Sequence, residues 1–291
     1  MRKRIMITGE KGYIGTQLQQ WLLNHPALYD VAMLNVRTDA WRQLSFRGVD
    51  VLVHAAGIVH QPGITDWTVY QKTNIDLTLA LAQKARSEGV RQFIFLSTMA
   101  VYGRGKRLTV NEIDEATVCQ PDGMYGKSKY LAEQAIQMLQ SDAFQVVIVR
   151  PPNVYGKGCK GGYISGFQRV VARLPAIPDA YPNVRQSTIY IDNLCELIRL
   201  IIDDGSAGCF MPQDKKAVSA VELMAAIADG MGRQMRKSRL LGLGIQLLSF
   251  LPLVKKAYGG VAYTERMTAC FGNAYVLVPF TEGIRRTIGH G

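Results

Sequence analysis

Through its first 200 residues the chain alternates short apolar runs with longer stretches whose apolar residues recur three and four positions apart. A parallel strand covered on both faces reads as an unbroken run of β-branched and aromatic residues, whereas an amphipathic helix reads as a 3.6-residue rhythm. The pattern predicts strands at 4–7, 31–35, 51–54, 93–96 and 146–149, and helices at 13–23, 67–86 and 125–139. Turn formers such as Gly89 and Asp122-Gly123 punctuate the boundaries. This alternation implies right-handed crossovers and an α/β fold of the Rossmann type, a doubly wound parallel sheet.

After Arg150-Pro151-Pro152 the pattern loosens. Gly156, Gly158, Gly161, Gly162, Pro175, Pro178 and Pro182 mark loops around a short helix, and residues 192–202 read as a helix returning to the main sheet. Ser219-Ala220-Val221-Glu222 is a capping box that opens a helix. The expected division is a dinucleotide-binding domain at 1–152 and 186–208, and a small mixed α/β C-terminal substrate lobe at 153–185 and 209–291. The most apolar stretch, 240–254, is interrupted by Gln246 and Pro252 and falls short of the roughly 20 residues of a membrane span, so it reads as a buried or interfacial helix without stable membrane insertion.

The 34 Lys and Arg against 23 Asp and Glu give a net charge of +11, which raises the local concentration of phosphate-bearing ligands. No zinc knuckle, basic repeat or recognition-helix pattern accompanies that charge, so nucleic acid is not the expected partner. The five cysteines are widely spaced without a C-x-x-C pair, which indicates neither a disulfide framework nor a metal site and fits a reducing cytoplasm. The apolar run behind Met1-Arg2-Lys3-Arg4 ends at Thr8-Gly9, too soon for a signal peptide.

The first strand runs directly into Thr8-Gly9-Glu10-Lys11-Gly12-Tyr13-Ile14-Gly15 and a helix. In that context Gly9 permits the tight turn, Gly12 lets backbone approach a pyrophosphate, and Gly15 allows close helix packing. The N-terminal turn at Tyr13 and Ile14 offers N–H groups to the anion. Ala55, Ala56 and Gly57, after His54, would let a dinucleotide lie across the strand ends, with Asn74 steadying backbone near the nicotinamide ribose. Ser97 and Pro152 are further cofactor contacts. After the second strand stands Asn35-Val36-Arg37 rather than a carboxylate, which favours NADP(H) over NAD(H), because Arg pairs with a 2′-phosphate. Arg37 is only about a dozen residues from the next strand, so one α/β unit is trimmed and Arg37-Thr38-Asp39 has a second reading as the adenine-side turn of that strand.

Tyr125 and Lys129 stand four residues apart at the start of a helix and therefore share one face. A phenol ordinarily titrates near 10, and a neighbouring ammonium together with an oxidised nicotinamide stabilises the phenolate. Ser97-Thr98-Met99-Ala100-Val101-Tyr102-Gly103 follows a buried strand, which puts the Thr98 hydroxyl at the same crevice. His60, just past the His54 strand, is a candidate substrate contact, and Tyr155, Tyr163 and Tyr181 are candidates to line a uracil pocket.

The ordered set T-G-x-x-G-x-x-G, H-A-A-G, S-T-x-A-V-Y-G, Y-x-x-x-K and R-P-x-N-V-Y-G resembles the extended short-chain dehydrogenase/reductase family, the NAD-dependent epimerase/dehydratases acting on nucleotide sugars. The resemblance implies catalytic roles for Thr98, Tyr125 and Lys129. It also implies contacts from Asn153 and Arg185 to the diphosphate of a sugar nucleotide, with UDP as the expected nucleotide, and a homodimer formed by the Asn74 and Tyr125 helices. Met99-Ala100 stands where the family's dehydratases carry an Asp-Glu pair. The missing acid after the second strand and the short C-terminal lobe point to a reductase, similar to the bacterial enzymes that reduce UDP-4-keto-6-deoxy-N-acetylhexosamines for surface polysaccharides. A 4-epimerase with retained NAD is the alternative, and a non-catalytic cofactor-binding sensor is the reading from another class.

Overall fold

The computed structural model describes residues 2–59, 63, 65–103, 107–159 and 162–289. The chain divides into two compact units, one of residues 1–103, 118–151 and 194–211, the other of 104–117, 152–193 and 212–291.

Unit 1 is built on six parallel strands: β1 (Lys3–Thr8), β2 (Tyr29–Leu34), β3 (Val51–His54), β4 (Gln92–Leu96), β5 (Gln145–Val149) and β6 (Gly208–Phe210), in the order β6-β5-β4-β3-β1-β2. Every residue of β3 and β4 is buried, as a doubly covered strand requires, whereas β2 alternates because it is a sheet edge. Helix α1 (Tyr13–Leu23) buries Gly15, Leu18 and Leu22 against β1 and β2. Between β2 and β3 the chain makes only a 3₁₀ turn, Asp39–Gln43, whose Trp41 stacks on Phe46 in the core at 6.5 Å between ring centroids. The trimmed unit expected there is thus a short aromatic plug. The order of connections reverses between β1 and β3, and the carboxyl ends of those two strands flank the crevice where such sheets take ligands.

The predicted helix at 67–86 is present in three pieces: Trp67–Tyr70, a π-helical turn Gln71–Asp76, and α2 (Leu77–Ser87). Helix α3 (Met124–Gln137) turns inward a face on which Ser128, Lys129 and Glu133 are buried beside Ala132 and Ile136. Burying three polar residues on one helical face is costly unless each finds partners, so that face marks a constructed site.

Unit 2 pairs short strands: Asn153–Tyr155 with Thr188–Tyr190, Arg185–Gln186 with Val218–Ser219, Ile177–Pro178 with Lys237–Ser238, and Glu112–Ile113 with Ala262–Tyr263. Ser219 and Glu222 form both reciprocal hydrogen bonds of the capping box at the start of the helix Ala220–Gly230. Buried Asp214 ties the unit together, accepting from Tyr155 Oη at 2.8 Å, Asn193 Nδ2 at 3.0 Å and the Tyr190 amide at 3.0 Å. Tyr155 is therefore a core residue and not a stacking platform. The single helix expected over 240–254 is two, Arg239–Leu247 and Pro252–Tyr258, because Pro252 has no N–H to continue the first and sits in the opening turn of the second. Its leucines are largely exposed rather than buried.

Candidate active site

At the end of β1 the chain turns through Gly9 at φ +91°, where an L side chain is strained. A Cβ on Gly15 would lie 2.6 Å from the Gly9 carbonyl oxygen, so α1 can start this close to the strand only without one. Gly12 is the N-cap and makes no side-chain cap, and the first turn, with Tyr13 and Ile14, carries no acid. A helix N-terminus with these features, next to backbone bare of side chains, fits a diphosphate.

One buried chain of hydrogen bonds fixes the opposite wall. The Ala56 amide donates to Thr8 Oγ1 (3.0 Å), and Thr8 Oγ1 meets His54 Nδ1 (2.8 Å) across the register pair of β1 and β3. His54 Nε2 meets Thr78 Oγ1 (3.0 Å), which donates to the Asn74 carbonyl (2.7 Å). Because Thr78 spends its proton on that carbonyl, Nε2 carries the ring proton and Nδ1 accepts from Thr8. Burial, with the charge of Lys129, pushes the His54 pKa down to about 3, so the ring is a neutral strut.

Asn74 lies in the π turn, a geometry common at functional sites. Its amide grips the Ile58 backbone on both sides, accepting from N at 2.8 Å and donating to O at 2.9 Å, and donates to Ser128 Oγ at 2.9 Å. Ser128 in turn donates to the Tyr125 carbonyl at 2.9 Å. Asn74 thus couples the backbone after β3 to the helix that carries Tyr125 and Lys129.

Thr98 caps the 3₁₀ turn Met99–Tyr102, and a Cβ on Gly126 would fall 2.5 Å from the Ala100 carbonyl oxygen. That close approach brings α3, with Tyr125 in its first turn, onto the turn that Thr98 caps. Burial pushes the phenol up to about 12, against the lowering effect of Thr98. The shift is opposite to the direction expected from a neighbouring ammonium, because burial raises the pKa, Tyr70 adds to that, and only Thr98 lowers it. Lys129 Nζ donates to the Leu96 carbonyl at 2.8 Å and sits 4.4 Å from the centre of the Phe95 ring. Burial brings its pKa down to about 8, partly offset by Glu133.

Beneath these groups lies a layer that sequence reasoning did not identify. Glu133 accepts from Ser97 Oγ and from Arg150 Nε (3.1 Å) and Nη2 (2.6 Å), and Arg150 Nη1 donates to Tyr102 Oη at 2.8 Å. The Ser97 hydroxyl, expected at the cofactor, is directed to this layer. The available signal was spacing, since Glu133 lies four residues beyond Lys129 on the same face.

Thr98, Tyr125, Lys129, Asn74, Ser97, the Gly9–Gly15 turn and Ala55–Gly57 all belong to unit 1. Arg37 is exposed at the end of β2, and its amide donates to Asn35 Oδ1 at 2.9 Å. Pro152, Asn153 and Arg185 belong to unit 2; Asn153 is exposed, and Arg185 pairs with Glu222 at 3.2 Å and donates to the Ala217 carbonyl at 3.0 Å. His60 lies outside the described residues.

Among relatives of known activity, the chain is 30% identical over 251 residues to a UDP-glucose 4-epimerase of Vibrio cholerae, covering 78% of this chain and 76% of that protein. It is 26% identical to a GDP-6-deoxy-D-mannose reductase of Pseudomonas aeruginosa, covering 78% and 81%. The fold is shared with UDP-glucuronic acid 4-epimerase from Bacillus cereus in complex with NAD, at a TM-score of 0.74 and 18% identity over 98% of this chain and 95% of that one. The sequence profile of the NAD dependent epimerase/dehydratase family matches residues 5–208. With its glycine turn, its Thr–Tyr–Lys arrangement and these similarities, the chain belongs to the NAD dependent epimerase/dehydratase family of extended short-chain dehydrogenase/reductase enzymes.

Proposed function

We propose that this protein is a nucleotide-sugar reductase that uses NADPH to reduce the C4 carbonyl of a UDP-4-keto-6-deoxy-hexosamine in surface polysaccharide synthesis. The observation that carries the reading is the placement of Tyr125 and buried Lys129 on α3, which packs against the turn that Thr98 caps. A phenol raised to about 12 rests in the form that gives a proton, as reduction of a carbonyl requires.

The Gly9–Gly15 turn and Ala55–Gly57 would hold the dinucleotide, whose reduced nicotinamide would supply the hydride. Tyr125 gives its proton to the carbonyl oxygen as that oxygen gains charge. Thr98 donates a hydrogen bond to the same oxygen and polarises it. Lys129, one turn along α3, holds the nicotinamide ribose and stabilises the phenolate left behind. Glu133 and Asn74 keep that helix in place. In this reading unit 1 takes the dinucleotide and unit 2 the sugar nucleotide, with Asn153 and Arg185 at its diphosphate. Arg37, exposed after a strand that ends without a carboxylate, supports NADPH as the cofactor in this reading.

The second reading is a 4-epimerase with retained NAD, favoured by the similarity to the Vibrio cholerae epimerase. Mass spectrometry of the protein as purified, followed by incubation with UDP-4-keto-6-deoxy-GlcNAc and NADPH, separates the two. A reductase consumes added NADPH in proportion to product. Tightly bound NAD, with turnover of a UDP-hexose in the absence of added cofactor, would establish the epimerase.

A further inference from the structure

Between Asp229 and Glu265 the chain carries six basic residues and no acidic one. This segment contains the helix Arg239–Leu247, anchored to unit 2 along one face. A Cβ on Gly242 would fall 2.2 Å from the Asp179 carbonyl oxygen, and the strand just before the helix pairs Lys237 with Ile177 and Ser238 with Pro178. Leu240, Leu243 and Leu247, spaced three and four apart, therefore occupy the face turned away from that anchor, and they are 79%, 58% and 78% exposed. Phe250, in the turn after this helix, and Leu253, in the first turn of the next, are exposed as well, at 68% and 75%.

Solvated leucines and a phenylalanine grouped in this way mark a contact surface rather than ordinary scatter. Its rim identifies what it contacts. Arg236, Lys237 and Arg239 precede the apolar face and Lys255 and Lys256 follow it, all exposed and none in an ion pair among the described residues. A second copy of the same face would bring these cations against one another. An anionic bilayer satisfies both parts, with headgroups neutralising the cations and the acyl boundary accepting the leucines. Among the described residues no helix is long and apolar enough to cross a membrane, so the element lies on a surface and does not span it.

We propose that the 236–256 surface of unit 2 docks on anionic lipid membranes, with Leu240, Leu243, Leu247, Phe250 and Leu253 entering the headgroup boundary and the five flanking cations meeting lipid phosphates. This docking is independent of the reaction assigned to unit 1. It holds the enzyme where a substrate or product is bound to, or transferred to, a lipid carrier.

The test is sedimentation of the full chain with phosphatidylcholine vesicles made with and without phosphatidylglycerol, at low and high salt. The wild type is expected to sediment with the phosphatidylglycerol vesicles alone and to be released by salt. Lys255→Glu/Lys256→Glu should weaken binding by about tenfold or more, and Leu243→Gln/Leu247→Gln/Phe250→Ser should abolish it. Both variants alter exposed side chains, so their melting temperatures and their turnover of a soluble nucleotide sugar should match the wild type. Failure of the wild type to bind the anionic vesicles overturns the proposal, as does wild-type binding by both variants. Conversion of a dimer to a monomer by the leucine variant, without any vesicle binding by the wild type, would assign the face to a second copy instead.

Discussion

Lys129 Nζ lies 3.1 Å from the point that a Cβ on Gly57 would occupy, and Asn74 Oδ1 lies 3.0 Å from it. The small residue after His54-Ala55-Ala56 is thus what allows the ammonium and the carboxamide to stand where they do. Gly57→Ala pushes the mobile end of a lysine, at a structural cost of about 1–3 kcal/mol. Its functional cost is larger, because a displacement of roughly 1 Å at a reacting group lowers turnover by about a hundredfold. Thermal melting and steady-state kinetics of this variant should show a small loss of stability and a large loss of kcat.

Tyr125→Phe removes the proton donor and leaves the ring in place. The expected fall in kcat is about 10²–10⁴ with cofactor affinity little changed, as read by kinetics and by fluorescence titration with NADPH. Thr98→Val should act in the same direction to a smaller extent. Equal losses of cofactor affinity and of turnover would instead place both residues in binding.

Glu133→Gln strips the charge from a buried pair whose carboxylate side chain is only 1% exposed. Removing one partner of such a pair costs about 3–5 kcal/mol, so urea denaturation should show a large drop in stability. Loss of the charge also lowers the Lys129 pKa further, since Glu133 is what raises it. A merely structural role for Glu133 would leave the pH profile of turnover unmoved; the positioning role shifts its Lys129 limb to lower pH.

His54 makes unit 1 sensitive to acid. Its pKa is about 3 in the fold against 6.5 as the ordinary value, so the unfolded chain binds the extra proton first as pH falls. The stability it contributes is complete above 6.5 and declines by about 1.4 kcal/mol per pH unit between 6.5 and 3. Denaturation curves across that window should be steep for the wild type and flatter for His54→Asn. The same slope in both would place the acid sensitivity elsewhere.

The strands and helices of unit 1 were legible because a doubly covered parallel sheet writes its strands as continuous apolar runs, and β3 and the helix Tyr13–Leu23 fall where the pattern puts them. The strand Gly208–Phe210 was not, since it is three residues long and largely exposed at the sheet edge. The π turn at Asn74 was hidden because one widened turn hardly disturbs the apolar rhythm on either side of it. Leu240–Val254 has helical spacing, but spacing alone cannot distinguish a helix packed under the fold from one lying on its surface.

In the site, Thr98, Tyr125 and Lys129 stood out as chemistry-bearing residues near predicted strand and helix ends. The supports did not. His54 and Thr8 meet through the register of β1 against β3, and Glu133 meets Arg150 and Ser97 from separate elements. Those contacts depend on register and packing, which a one-dimensional pattern does not specify.

The most direct test of the Thr98–Tyr125–Lys129 assignment is a single-turnover reaction of UDP-4-keto-6-deoxy-GlcNAc with NADPH deuterated at C4 of the nicotinamide, comparing the wild type with Tyr125→Phe. The expected result is deuterium at C4 of the sugar with the wild type, and transfer slowed by about a hundredfold or more in the variant under saturating NADPH. Deuterium transfer by Tyr125→Phe at the wild-type rate would contradict the assignment.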